Sequence, residues 1–174
     1  LEAARLVPVS VTVGMERIPE NFPVASDDVL LLDIHHPQEA AQTVAEFARL
    51  HPIDAVIGVD DMTAVTAATV AEALGLPHNS VASVSATRNK RQMREQLSKQ
   101  GILVPHHRVY PLNGDPREFA TQVAYPCVLK PLILSASCGV IRANDEEEFR
   151  VAFRRVGTIL TNLGWAARDE QARW

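Results

Sequence analysis

Residues 128–140 read VLKPLILSASCGV. A short apolar strand delivers one lysine, Lys130, and Pro131 stops the strand. A run of small residues with two serines and a glycine then leads into a second strand, Val140 to Ala143. Two readings fit this stretch. As a phosphate grip, Lys130 supplies a fixed positive charge, while Ser135, Ser137 and the backbone N–H groups around Gly139 hydrogen-bond phosphate oxygens. As an ordinary hairpin loop, the same residues merely join two strands and the lysine faces water. The segment by itself leaves both open.

Upstream, Thr87 to Gln100 is predicted to be a basic helix closed by Gly101, with a thin apolar stripe of Met93 and Leu97. Lys90 precedes these by three and seven positions, so it begins the inward stripe, and an inward lysine needs an anionic partner. Arg88, Arg91, Arg94 and Lys99 read as a solvated face. Between this helix and the lysine strand, His107 to Tyr110 reads as a strand and Asp115-Pro116 as a helix cap, with the helix running to about Val123. Downstream of the loop, Asn144 or Asp145 caps a helix whose first turn is Glu146-Glu147-Glu148, with an apolar stripe of Phe149, Ala152, Phe153 and Val156.

The first part of the chain has a different rhythm. Leu1 to Leu6 reads as the end of a helix, Val7 to Val13 as an alternating strand, Gly14 to Pro23 as a loop and Val29 to Asp33 as a short strand. Pro37 opens a helix to about Leu50 whose stripe is Ala40, Ala41, Val44, Phe47 and Ala48. Ala55 to Val59 is apolar throughout, as in a strand buried on both faces. A helix from about Met62 to Leu74 is stopped by Gly75, and Leu76 to Ser85 is a polar connection. Alternation of strand and helix at this spacing predicts a doubly wound α/β layer. Asp60-Asp61, at the C-terminal end of a strand, either cap the next helix or contact substrate.

Composition narrows the function. With 17 basic against 21 acidic residues, a net charge of −4 and 5% aromatics, the composition indicates neither a polyanion partner nor a base-stacking surface, and no nucleic-acid partner is expected. No apolar run reaches the length of a membrane span, and two cysteines, Cys127 and Cys138, form neither a disulfide framework nor a metal spacing. A cytoplasmic setting fits these features. The pairs His35-His36 and His106-His107 diverge on any regular element, so they read as surface residues and no metal ligand is assigned. Cys138 reads as a passive small residue, with a reactive thiol as the alternative.

The order of these pieces resembles the ATP-grasp superfamily, in particular its carbamoyl-phosphate synthetase, biotin carboxylase and phosphoribosylamine-glycine ligase branches. The matching residues are Asn89-Lys90 with Met93, Gly101-Ile102 with Val104-Pro105, Tyr125 to Pro131, and Ser135 to Val140. The fold implied is a Rossmann-like α/β pre-ATP-grasp layer over residues 1–80. It is followed by the small α+β first subdomain of an ATP-grasp fold over 81–160, and by a tail at 161–174. By the same resemblance, Lys90 and Lys130 contact ATP phosphates and the Ser135–Gly139 loop closes over them. The activity implied is transfer of the ATP γ-phosphate to a small carboxylate, then attack by an amine or thiol on the acyl phosphate. Mg²⁺ is expected with the nucleotide, its ligands and all catalytic groups lying outside this chain. A first strand is expected to be missing, so the chain reads as an N-terminal fragment, inactive alone and compatible with a homo-oligomer. The alternatives are a non-catalytic nucleotide or metabolite-binding or interaction module that kept this fold, and a kinase or other phosphate binder.

Overall fold

The computed structural model describes residues 11–18, 20 and 29–164. The chain divides into two compact units, Leu1–Val84 and Ser85–Trp174. The fold is mixed α/β with small sheets.

In the first unit, strand β1 (Val13–Met15) pairs in parallel with β2 (Val29–Leu31), Val13 opposite Val29 and Met15 opposite Leu31. Leu32 N–H donates to the Met15 carbonyl at 2.9 Å, extending the pairing by one residue. Gly14 and Met15, expected in a loop, therefore belong to a strand. Residues 7–10 of the expected first strand lie outside the described residues. Helix α1 (Pro37–Ala48) starts with proline in its first turn, where a missing N–H costs nothing, and buries Ala40, Ala41 and Val44. Helix α2 (Ala64–Ala73) ends at Gly75 with φ of +67°, Gly75 N–H reaching Glu72 O and Leu76 N–H reaching Ala71 O. That pair of bonds satisfies two of the carbonyls orphaned at a helix end. Ala41, Val44 and Val70 form the core, with Leu30, Leu32, Ile53 and Val56 against it.

The expected doubly buried strand at Ala55–Val59 is absent among the described residues. Ile57 is 81% and Val59 87% exposed. Apolar character makes a strand only where a neighbour accepts its ladder, and no described strand pairs with this segment. The segment is instead held through Gly58, where a Cβ would lie 3.2 Å from Ala67 Cβ and 3.3 Å from Ala64 Cα.

In the expected polar connection a helix begins: α3 spans Val81–Arg88, with the Ser80 hydroxyl oxygen accepting Ser83 N–H. The predicted helix over Thr87–Gln100 is thus two helices, the second being α4 (Lys90–Lys99), followed by Gly101 at φ +73°. His107–Tyr110 is not a strand; residues 102–115 carry no regular element. Helix α5 (Pro116–Ala120) is capped by Asp115, whose carboxylate accepts Arg117 N–H at 2.9 Å, and it ends three residues short of the expected Val123.

Strand β3 (Cys127–Leu129) pairs antiparallel with β4 (Ile141–Ala143), and helix α6 (Glu146–Asn162) covers them. Asp145 caps α6 by accepting Glu148 N–H at 2.8 Å, and the acidic first turn complements the helix dipole. Its buried stripe is Phe149, Ala152, Phe153, Val156 and Leu160, the spacing that keeps one helix face on a sheet. Ala120 and Ala143 complete this core. Among the described residues no helix is long and apolar enough to cross a membrane.

Candidate functional site

Asn89 sets up the site. Its extended backbone, with φ −117° and ψ 110°, breaks the helical run, and its side-chain oxygen accepts Arg91 N–H at 3.0 Å and Gln92 N–H at 3.2 Å. The break makes Lys90 the first residue of α4 instead of a mid-helix position. Lys90 N–H donates to the Leu132 carbonyl at 3.0 Å. Its ammonium donates to Leu134 O at 2.5 Å and Leu132 O at 3.3 Å. The inward lysine foreseen from the stripe is present, and two of its partners are carbonyl oxygens of the β3–β4 loop.

Lys130 follows β3 directly, half-buried, and among the described residues it has no hydrogen bond or ion pair. Burial pulls its ammonium below the usual lysine range, and the guanidinium of Arg94 adds to this. Arg94 lies one helical turn after Lys90, on the same side of α4, and is itself half-buried. By contrast, Arg91 is exposed and tied to Glu95, its Nε donating to Oε1 at 2.6 Å, which holds the Glu95 carboxyl below the usual range.

Lys90 and Lys130 line one cavity of about 530 Å³. Its polar wall also carries Arg91, Arg108, His106 and His107, while Phe149, Phe153 and Val156 contribute apolar surface. No carboxylate is among its lining residues. Cys127 lines it too, its thiol pushed up by burial. Arg91 and His106 are exposed, as a solvated face and a surface residue should be, and they line the cavity as well; His107, read as a surface residue, is half-buried. The one available signal for Arg91 was its adjacency to Lys90; nothing in the spacing marked Arg108.

The other expected ligands lie beyond the cavity lining. Ser135 and Ser137 sit in a tight turn in which Cys138 N–H donates to Ser135 O at 3.0 Å and Val140 N–H to Ser137 O at 3.2 Å. Ala136 at φ 50° and Ser137 at φ 58° occupy the left-handed region, costly for residues with a Cβ. Gly139, at φ +73°, packs so closely that a Cβ would meet Pro131 Cγ at 2.9 Å. Asp60 and Asp61 belong to the first unit. The Asp60 carboxylate accepts Thr63 N–H at 2.8 Å and the Thr63 hydroxyl at 3.0 Å, fixing the turn into α2. Asp61 is exposed. Among the described residues no group of three or more His, Cys, Asp or Glu is placed to hold a metal ion.

Comparison with known proteins gives a consistent family. Residues 1–78 match the ATP-grasp N-terminal domain and residues 123–170 the ATP-grasp domain. The alanine–anticapsin ligase of Bacillus subtilis is 26% identical over 127 residues, which make up 72% of this chain and 27% of the relative. The same ligase of Bacillus amyloliquefaciens is 25% identical over the same shares. The chain thus spans about a quarter of the length of these curated relatives. The crystal structure of an L-amino acid ligase from Bacillus licheniformis superposes with a TM-score of 0.67 at 28% identity, covering 89% of this chain and 38% of that one.

Proposed function

Because the chain belongs to the ATP-grasp superfamily, we propose that its second unit holds the phosphates of ATP for a ligase that joins a small carboxylate to an amine, both of the amino-acid class. The observation that carries this reading is the cavity lined by both Lys90 and Lys130, with no carboxylate among its lining residues. Cationic side chains lining one cavity attract a polyanion. Two adjacent left-handed residues in the neighbouring turn are a second support, because backbone strain of this kind collects at ligand-binding loops.

In this reading Lys130 and Lys90 donate charge-assisted hydrogen bonds to phosphate oxygens, and the hydroxyls of Ser135 and Ser137 with the Gly139 N–H contribute further donors as the loop approaches. ATP supplies the phosphoryl group that activates the carboxylate as an acyl phosphate, the form an amine can attack. Mg²⁺ accompanies the nucleotide, and no residue of this chain is assigned to it. Asp60 and Asp61 are proposed as weak substrate contacts from the turn into α2, Asp60 also holding that turn through Thr63. The setting proposed is the cytoplasm, where ATP and free amino acids are present.

Calorimetric titration of ATP with Mg²⁺ into the full-length protein and its Lys130→Ala variant tests the reading. Loss of one charge-assisted bond predicts an affinity about tenfold weaker or worse in the variant. Equal affinities would remove Lys130 from the phosphate site, and no binding to either protein would reject the reading as a whole.

A further inference from the structure

The ammonium assigned to phosphate already has protein partners. Lys90 Nζ donates to the carbonyls of Leu134 and Leu132, at 2.5 and 3.3 Å, and these two residues open the loop that carries Ser135, Ser137 and Gly139. We infer that Lys90 is the positioning residue of this loop: its ammonium ties the loop to the start of α4, and an incoming phosphate takes the ammonium over and so releases the loop.

Three features of the geometry support an exchange in preference to a fixed brace. The two acceptors are neutral carbonyls, against which a phosphate oxygen competes strongly for an ammonium. Lys90, Lys130 and Leu132 line the same cavity, so the ammonium held by the loop faces the space assigned to phosphate. The loop also keeps a second tether, Lys90 N–H to Leu132 O at 3.0 Å, which does not involve the side chain. Release of the ammonium would therefore loosen the loop beyond Leu134, whose side chain stays packed on the core, while its root stayed anchored. Beyond that point the described residues hold the turn by backbone bonds from Cys138 and Val140 N–H, around residues in the left-handed region, and by the packing of Gly139 on Pro131.

The inference rests on the phosphate reading for its second half and is independent of it for its first. Amide hydrogen exchange on the full-length protein separates the two. Without nucleotide, Lys90→Met is expected to speed exchange at the Cys138 and Val140 amides by about tenfold, the worth of one charge-assisted bond. Lys90→Arg, which can still reach carbonyls, is expected to restore most of the protection. Amides of α6 report any general loss of stability, and the comparison is made relative to them. Lys130→Met, which leaves the tether intact, is expected to leave loop exchange unchanged. Equal loop protection in wild type and Lys90→Met would overturn the tether.

With ATP and Mg²⁺ at saturation, the wild-type loop amides are expected to change their exchange, and the Lys90→Met loop to show little further change. If nucleotide binds and the wild-type loop is unmoved, the exchange step is wrong even where the tether is right. If nucleotide does not bind the wild type, the phosphate reading and the exchange step fail together, while the tether is decided by the first comparison.

Discussion

Lys130 is the residue at which charge, burial and chemistry meet. Burial first, and Arg94 second, lower its ammonium from the ordinary value of 10.5. Phosphate takes the protonated form, so affinity is full below the depressed value and is lost as pH rises through it, before 10.5. For folding the direction reverses: between the depressed value and 10.5 the unfolded chain binds more protons, so stability gains from Lys130 as pH rises. Nucleotide titrations from about pH 7 upward should therefore show an alkaline decline that begins earlier than an ordinary lysine would give. Arg94→Met removes the smaller cause and should move that decline to higher pH; an unchanged profile would separate Arg94 from the site. Gly139 permits a second test, because Gly101 shares its φ of +73° but has nothing within 4 Å of a Cβ. Gly101→Ala should cost about 1 kcal/mol from the backbone alone, and Gly139→Ala about 2–4 kcal/mol once the Pro131 contact is added. Urea denaturation of the two variants measures the difference, and equal losses would mean that Pro131 yields.

At the scale of elements, what could be read in advance was what depends on near neighbours. The α6 stripe, a cap at Asn144 or Asp145 and the Gly75 stop follow from residues within a turn of one another, and the structure has all three, with Asp145 as the cap. What could not be read was pairing and interruption. Ala55–Val59 has a strand's composition, but a ladder needs a partner that the segment cannot specify. The break between α3 and α4 turns on one asparagine in an otherwise helical run, where capping two N–H groups outweighed continuation. The same break gives Lys90 the first position of α4, so the lysine was identifiable while its hold on the Leu132 and Leu134 carbonyls was not. The α6 face is checked by two truncations. Leu160→Ala, at 1% exposure, should cost about 2–5 kcal/mol. Val151→Ala, at 54% exposure on the same helix, should stay within about 0.5 kcal/mol.

For the whole molecule, the lysine site is built within the second unit, and the unresolved business of the fold lies in the first. There, β1 and β2 form a parallel sheet of only two described strands, a form that is rare because parallel sheets are ordinarily covered and extended on both sides. Leu31 is 57% exposed on that sheet, and Ile57 and Val59 stand almost wholly in solvent on a segment without a described strand partner. Exposed apolar side chains beside unpaired backbone are a template for another chain. A net charge of −4 on 174 residues gives only weak mutual repulsion against such contact. The 174-residue chain, of 19.1 kDa, is therefore expected to self-associate, with light scattering giving a mass above that of one chain. Added salt should strengthen the association, because it screens the repulsion and leaves apolar contact intact. Ile57→Lys combined with Val59→Lys should shift the population toward monomer without loss of helix by circular dichroism, since both side chains point into solvent and support no core. A wild-type chain that stays monodisperse and monomeric would show that this surface is tolerated as it stands, and the double variant would then have nothing to relieve.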